Sequence, residues 1–178
     1  SGSGDMIVAP EEPIPVQVEK EIEFLHQKWP GVKKYIAYFQ NFTNTHGPVE
    51  VLRERFEQAV DRPDIVGINI GTRPDCLPDD VLDYLSELNE RMTVWVELGL
   101  QTTYQKTSDL INRAHDYQTY LDAVAKSRAR GILVCVHLIN GLPGETQDMM
   151  VENVRRVVED SDIQGIKLHL LHLMTGTR

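Results

Sequence analysis

The sequence predicts an α/β fold, a partial parallel (β/α)6-type TIM barrel with five strands present. Three observations lead there. Segments of helical periodicity alternate with short apolar strands from end to end, as in βαβ crossovers that build a parallel sheet. The chain has 178 residues, whereas a closed eight-stranded barrel takes about 250. No Gly-x-Gly-x-x-Gly follows the first strand, which weakens the dinucleotide-binding form of the doubly wound alternative.

Residues 17–29 carry apolar side chains at helical spacing (Val18, Ile22, Leu25, Trp29), and Pro30-Gly31 stops the run. Residues 34–40 read as a strand rich in aromatic and β-branched side chains. Residues 48–60 are helical, with Pro48 suited to a first turn, and 65–70 form a short apolar strand. A helix over 79–91 begins after Pro78, and 92–98 is the next strand. A two-part helical stretch over 107–113 and 117–130 is capped by Gly131, which leads into a strand over 132–139. A helix over 146–160 and a strand over 165–171 complete the series.

Composition bounds the rest. Charged and apolar fractions of 25% and 41% belong to a folded chain, not a disordered tail. The length allows one core domain, residues 1–178, with 1–13 expected as a flexible lead-in. No apolar run approaches the roughly 20 residues that span a bilayer, and the first residues lack the marks of a signal peptide. Cys76 and Cys135 stand far apart, so neither a disulfide framework nor a local metal motif is predicted. A reducing, cytoplasmic home follows. A net charge of −9 opposes broad nucleic-acid binding, leaving a local patch such as Arg128, Arg130, Arg155 and Arg156, or Lys and Arg outside residues 1–178.

Because side chains alternate faces along a strand, Glu97, Gly99 and Gln101 share one face, opposite Val94, Val96 and Leu98. Asn69 lies between Gly67 and Gly71 on one face of its strand. Gln40 shares a face with Ile36 and Tyr38, His137 with Cys135, and Lys167 with His169. Every strand thus carries polar side chains, mostly toward its C-terminal end, where parallel β/α folds hold their active sites. Left unpaired in a barrel interior, each would cost roughly 1–3 kcal/mol, so a polar ligand is expected. The plainer reading, ordinary hydrogen bonds to loops, suits one such residue better than five strands of them.

The segment from His137 to Thr146, with Asn140-Gly141-Leu142-Pro143-Gly144-Glu145 at its centre, reads as a strand running through a glycine turn into a helix. Its glycines permit positive φ or close ligand approach, and the helix N-terminus offers free N–H donors that Glu145 complements. This turn, together with Glu97-x-Gly99-x-Gln101-Thr102 and Ile111-Asn112-Arg113-Ala114-His115, resembles the radical S-adenosylmethionine (SAM) superfamily. Within it the chain looks most like the elongator-type branch and YhcC-like bacterial radical SAM proteins. Residues 39–45, Gly71-Thr72-Arg73-Pro74-Asp75-Cys76 and Leu168-His169-Leu170-Leu171-His172 carry that closer likeness, which runs over roughly residues 14–177.

The resemblance implies a cytoplasmic enzyme that cleaves SAM reductively with a 4Fe–4S cluster, making a 5′-deoxyadenosyl radical for hydrogen abstraction. A reductant such as flavodoxin or ferredoxin and a tRNA wobble uridine as substrate are implied with it. Gln101 would contact the methionyl or ribose portion of SAM, and Arg113 its carboxylate. His137 would meet the ribose hydroxyls, and the backbone at Asn140 and Gly141 the adenine. Glu97, one pleat deeper, would face SAM or substrate. Residues 40–45 stand where many relatives have Gly-Gly-Glu for the SAM amino group, making Gln40 and Asn44 the candidates there, with Asn69 beside them.

One departure is large: no CxxxCxxC loop is present, so no metal ligands are assigned in this chain. On the resemblance it is a truncated core lacking the first strand and cluster loop, expected to be inactive alone. Two other classes compete. One is a cluster-free β/α-barrel lyase or isomerase with Glu97 and His137 as acid and base; the other is a noncatalytic nucleic-acid adaptor, which the acidic balance disfavours.

Overall fold

The computed structural model describes residues 12–173, so all but Glu12 and Pro13 of the expected lead-in lie outside the described residues. Five strands, β1 (Tyr35–Phe39), β2 (Ile65–Thr72), β3 (Thr93–Gln101), β4 (Leu133–Asn140) and β5 (Gly165–Leu170), pair in parallel in the order β1-β2-β3-β4-β5. Around them run the helices α1 (Ile14–Lys28), α2 (Val49–Val60), α3 (Asp79–Asn89), α4 (Gln105–Leu110), α5 (Tyr117–Ala129) and α6 (Gln147–Asp160). Sequential order, with no reversal, makes this a half-barrel and not a doubly wound sheet.

Crossovers between parallel strands are right-handed, which places successive helices on one side of a sequentially ordered sheet. That side holds the core. Ile68 and Ile70 of β2, Val94, Val96 and Leu98 of β3, and Val134 and Val136 of β4 are buried there. They pack with Leu52 and Phe56 of α2, Val81, Leu82 and Leu85 of α3, and Tyr120 and Val124 of α5. The Phe56 ring meets Phe39 edge-on at 4.9 Å and stacks parallel to Tyr84 at 6.4 Å. Each such side chain contributes roughly 1.5–3 kcal/mol by leaving water. The opposite face, the concave lumen, is where the polar residues point.

Every expected element forms, and the differences at their ends bear on the site. The strand expected to end at Leu98 runs on to Gln101, with an irregular register against β4 between Gly99 and Gln101. The helix expected over 107–113 stops at Leu110, because Asn112 adopts a left-handed conformation (φ 55°), which asparagine tolerates better than most residues. Arg113 N–H then bonds back to the Ser108 carbonyl at 2.9 Å, and the Arg113 side chain is freed from the helix. Side-chain caps start the last two long helices: Asp116 accepts from Thr119 N–H at 2.8 Å, and Thr146 from Met149 N–H at 3.3 Å. Gly131, at φ 74°, follows the C-cap of α5 as expected. A short 3₁₀ turn, Pro74–Cys76, was not anticipated.

Candidate functional site

β3 is the central strand, so a lumen-facing residue on it is within reach of both halves of the curved sheet. Glu97 occupies that position and is only 3% exposed. Its carboxylate accepts from Tyr38 Oη of β1 (2.5 Å), Asn69 Nδ2 of β2 (3.2 Å) and His137 Nε2 of β4 (2.9 Å). Lys167 Nζ of β5 donates to both its oxygens at 2.7 Å and also lies 3.2 Å from Tyr38 Oη, joining the two outer strands. Burial opposes ionisation of Glu97. The hydrogen bonds from His137, Lys167 and Tyr38 outweigh it and hold the carboxyl down at about 2. The same pairing raises Lys167 against the opposing effect of its own burial.

This geometry bears on two expectations. A carboxylate engaged by four side chains and ionised down to about pH 2 is neither a useful base nor an acid near neutrality, so the acid–base role considered for Glu97 does not suit it. His137 was expected to meet ribose hydroxyls. Instead its Nε2 bonds Glu97 and its Nδ1 lies 3.3 Å from His169 Nε2, the two rings 4.9 Å apart. Both ring nitrogens are engaged within the lumen.

At the rim the pattern reverses. Gln101 sits at φ 73°, a conformation that costs a non-glycine residue on the order of 1–3 kcal/mol. Its side chain turns back over Gly99, where an added Cβ would meet Gln101 Nε2 and Arg113 Nη2, each at 3.1 Å. Arg113 Nη2 donates to the Gly99 carbonyl and lies 3.2 Å from His115 Nε2. Its Nε is buried and finds no partner among the described residues. Burial, then the charge of Arg73, lowers the Arg113 pKa: this guanidinium is short of negative charge. Asn69 Oδ1, nearer the floor, is likewise buried without a partner there.

The remaining candidates divide. Gln40 is exposed at the end of β1. Asn44 is buried, and its Nδ2 donates to the carbonyls of Phe39, Asn41 and Gly71. Its amide nitrogen therefore braces the loop instead of standing free. Gly71 is needed there, since a Cβ would lie 3.1 Å from the Phe39 and Gln40 carbonyl oxygens. Asn140 ends β4 with its carbonyl accepting from Leu171 N–H at 2.9 Å, and Gly141 turns the chain at φ 87°. Glu145 reaches across to the loop after β3: it accepts from Thr102 Oγ1 (2.5 Å) and Asn153 Nδ2 (3.0 Å), while Asn153 Oδ1 accepts from Thr103 N–H (2.7 Å). This buried link ties the glycine turn to Gln101.

Tyr38, Lys167 and His169 were placed on the right faces by alternation but assigned no role. Recognising Glu97 as the acceptor that Tyr38 and Lys167 share, with His169 behind His137, needs the sheet's curvature. The Thr102–Glu145–Asn153 link left no signal in the sequence beyond the motif itself. In the candidate basic patch, Arg128 pairs with Asp162, Arg130 with Asp79 and Asp83, and Arg155 with Glu152. Arg156 bonds Thr103 and covers the Tyr117 ring at 4.8 Å.

Cys76 is half-buried and Cys135 buried, both free thiols, with burial raising both and carrying Cys135 to about 11. Among the described residues no group of three His, Cys, Asp or Glu could hold a metal ion, and no helix is long and apolar enough to cross a membrane. A cleft of about 700 Å³ opens between α5 and the loops after β1 and β2, with none of the lumen residues on its wall. The polar lumen and its rim remain the better candidate, because unpaired buried groups and strained backbone collect there.

A sequence profile of the Radical SAM superfamily matches residues 3–157. The uncharacterized protein YtqA of Bacillus subtilis is 57% identical over 177 residues, 99% of this chain and 54% of its own length. Protein YhcC of Escherichia coli is 50% identical over 146 residues, 82% of this chain and 47% of its own. The chain thus spans about half the length of these curated relatives. A tRNA uridine(34) acetyltransferase of Methanocaldococcus jannaschii is 26% identical over 114 residues, 63% of this chain and 20% of its own. Among solved structures, the archaeal Methanocaldococcus infernus Elp3 with an N-terminal deletion superposes with a TM-score of 0.79 at 21% identity. It covers 93% of this chain and 43% of its own, a likeness of fold.

Proposed function

The chain belongs to the radical SAM superfamily, and from that premise we propose that it is the SAM-holding half of a cytoplasmic radical SAM enzyme. One observation carries the reading: a half-buried guanidinium, Arg113, packed close over Gly99, whose buried Nε has no partner among the described residues. An anionic ligand group would satisfy it. Planar, bidentate pairing with a carboxylate is what arginine does best, so Arg113 takes the SAM carboxylate. Gln101, already held in its left-handed conformation, contacts the methionyl or ribose portion, with Gln40 as the candidate for the amino group. The backbone at Asn140 and Gly141 meets the adenine, positioned by the Glu145 link. SAM, when bound, supplies a sulfonium group whose reductive cleavage begins hydrogen-atom abstraction.

A 4Fe–4S cluster does not fit the residues present. Its thiolates come from closely placed cysteines, and this chain has only Cys76 and Cys135, so electron delivery is assigned to none of its residues. For the substrate of the whole protein we propose the wobble uridine of tRNA. The likeness to the uridine(34) acetyltransferase supports it, as does the low cost of extruding a base from a single-stranded anticodon loop. Phosphate contacts would come from Lys and Arg elsewhere in the whole protein or from the patch of Arg128, Arg130, Arg155 and Arg156.

Calorimetry of SAM binding to the full-length protein and its Arg113→Ala variant tests the first reading; equal affinities dismiss it. An unchanged set of tRNA modifications in cells lacking the gene would sink the second.

A further inference from the structure

The lumen floor has an order that the SAM reading does not use. Glu97, ionised, can only accept, so His137 must carry its proton on Nε2, 2.9 Å away. With the second His137 nitrogen, Nδ1, as acceptor, His169 Nε2 at 3.3 Å donates to it. That leaves the Nδ1 lone pair of His169 as the free end of a Glu97–His137–His169 chain. His169 is exposed, whereas Glu97 is buried and His137 half-buried. A buried carboxylate that fixes the tautomer of one imidazole, which in turn orients an outer group, is the logic of a catalytic triad.

We propose that the half-barrel lumen is a proton-transfer site in which His169 is the base and His137 and Glu97 are positioning residues behind it. Its substrate is a C–H or N–H acid activated by a neighbouring carbonyl. The charged and titratable groups facing His169 are Glu97 from β3, His137 from β4, Lys167 from its own strand and, through Lys167, Tyr38 from β1. Burial, then the positive charge beside it, lowers the His169 pKa. In the step, the substrate X–H bond breaks, its proton goes to His169 Nδ1 and its electron pair stays on X. His169 becomes an imidazolium and passes the proton to water. So weak a base needs an acid whose anion is delocalised, hence the carbonyl. Lys167, its side chain 41% exposed, is the cation beside the forming anion.

The inference rests on side-chain geometry and stands or falls apart from SAM binding. The test is ring ¹⁵N–¹H spectroscopy of the full-length protein labelled at histidine, across pH. The expected result is a His137 protonated on Nε2 with Nδ1 accepting, and a His169 protonated on Nε2 with Nδ1 bare. Glu97→Gln removes a negative charge and should lower the His169 pKa, while Lys167→Met removes a positive one and should raise it. If Glu97→Gln fails to fold, Lys167→Met alone carries the charge test, and diethyl pyrocarbonate mapped by mass spectrometry should modify His169 in preference to His137. A His137 proton on Nδ1, a His169 pKa indifferent to these charges, or a His169 protected from the reagent would each overturn the assignment.

Discussion

The floor and the rim of the half-barrel are both polar and solve opposite problems. On the floor, Glu97 draws one side chain from each of the other four strands, and those groups largely satisfy one another. At the rim, Arg113 keeps a buried donor unpaired, and Gln101 holds a strained φ. The paired groups of the floor hold one another in place, whereas the unpaired Nε of the rim is completed by something that binds. Unpaired buried groups persist where function needs them.

The largest expected effect tests the floor. Glu97→Ala strips Lys167 and His137 of their shared acceptor. Removing one partner of a buried pair costs about 3–5 kcal/mol, and partial exposure of Lys167 puts this case near 3, read as a lower urea midpoint at unchanged slope. The pH dependence follows in sign. Folding lowers the Glu97 pKa from 4.5 to about 2, so its contribution, roughly 3 kcal/mol, is fully present above pH 4.5. It is lost as pH falls through about 2. An acid-unfolding curve that Glu97→Gln leaves unchanged would break this account of the floor.

Next comes the rim. Arg113→Ala should weaken SAM binding to the full-length protein by roughly 1.5–3 kcal/mol with little loss of folding stability, the reverse of Glu97→Ala. Gly99→Ala should act in the same direction, because its Cβ would press on Gln101 Nε2 and Arg113 Nη2. Calorimetry paired with thermal melting separates the two regions. Away from both, Asp116→Ala removes a helix cap and should cost about 1 kcal/mol of stability without touching SAM affinity. Smallest of all, Glu87→Ala breaks an exposed pair with Arg53 and should change stability by less than about 0.5 kcal/mol.

The elements were legible because each segment's apolar period matched its structure, and tertiary packing did not have to overrule it. Strand alternation alone put Asn69, Glu97, His137, Lys167 and His169 on one face. It could not say that Glu97 would be the hub, since the four donors come from positions 38 to 167 and meet only when the sheet curls. Gln101 shows the limit from the other side. Its face was read by extending the pleat, yet the strand leaves regular geometry there, and the side chain returns over Gly99 only through a positive φ.

The sequence by itself determined the α/β alternation, the parallel half-barrel and, through its glycine turn and strand-end residues, membership of the radical SAM superfamily. These rest on local periodicity and short motifs, which are written along the chain. Only the tertiary structure decided which polar residues are occupied and which are free. Asn44 Nδ2 braces its loop and Arg128 pairs with Asp162, while Arg113 and His169 keep atoms to spare. Pairing is a property of distance in space, and burial sets its energy. Neither can be read from the order of residues.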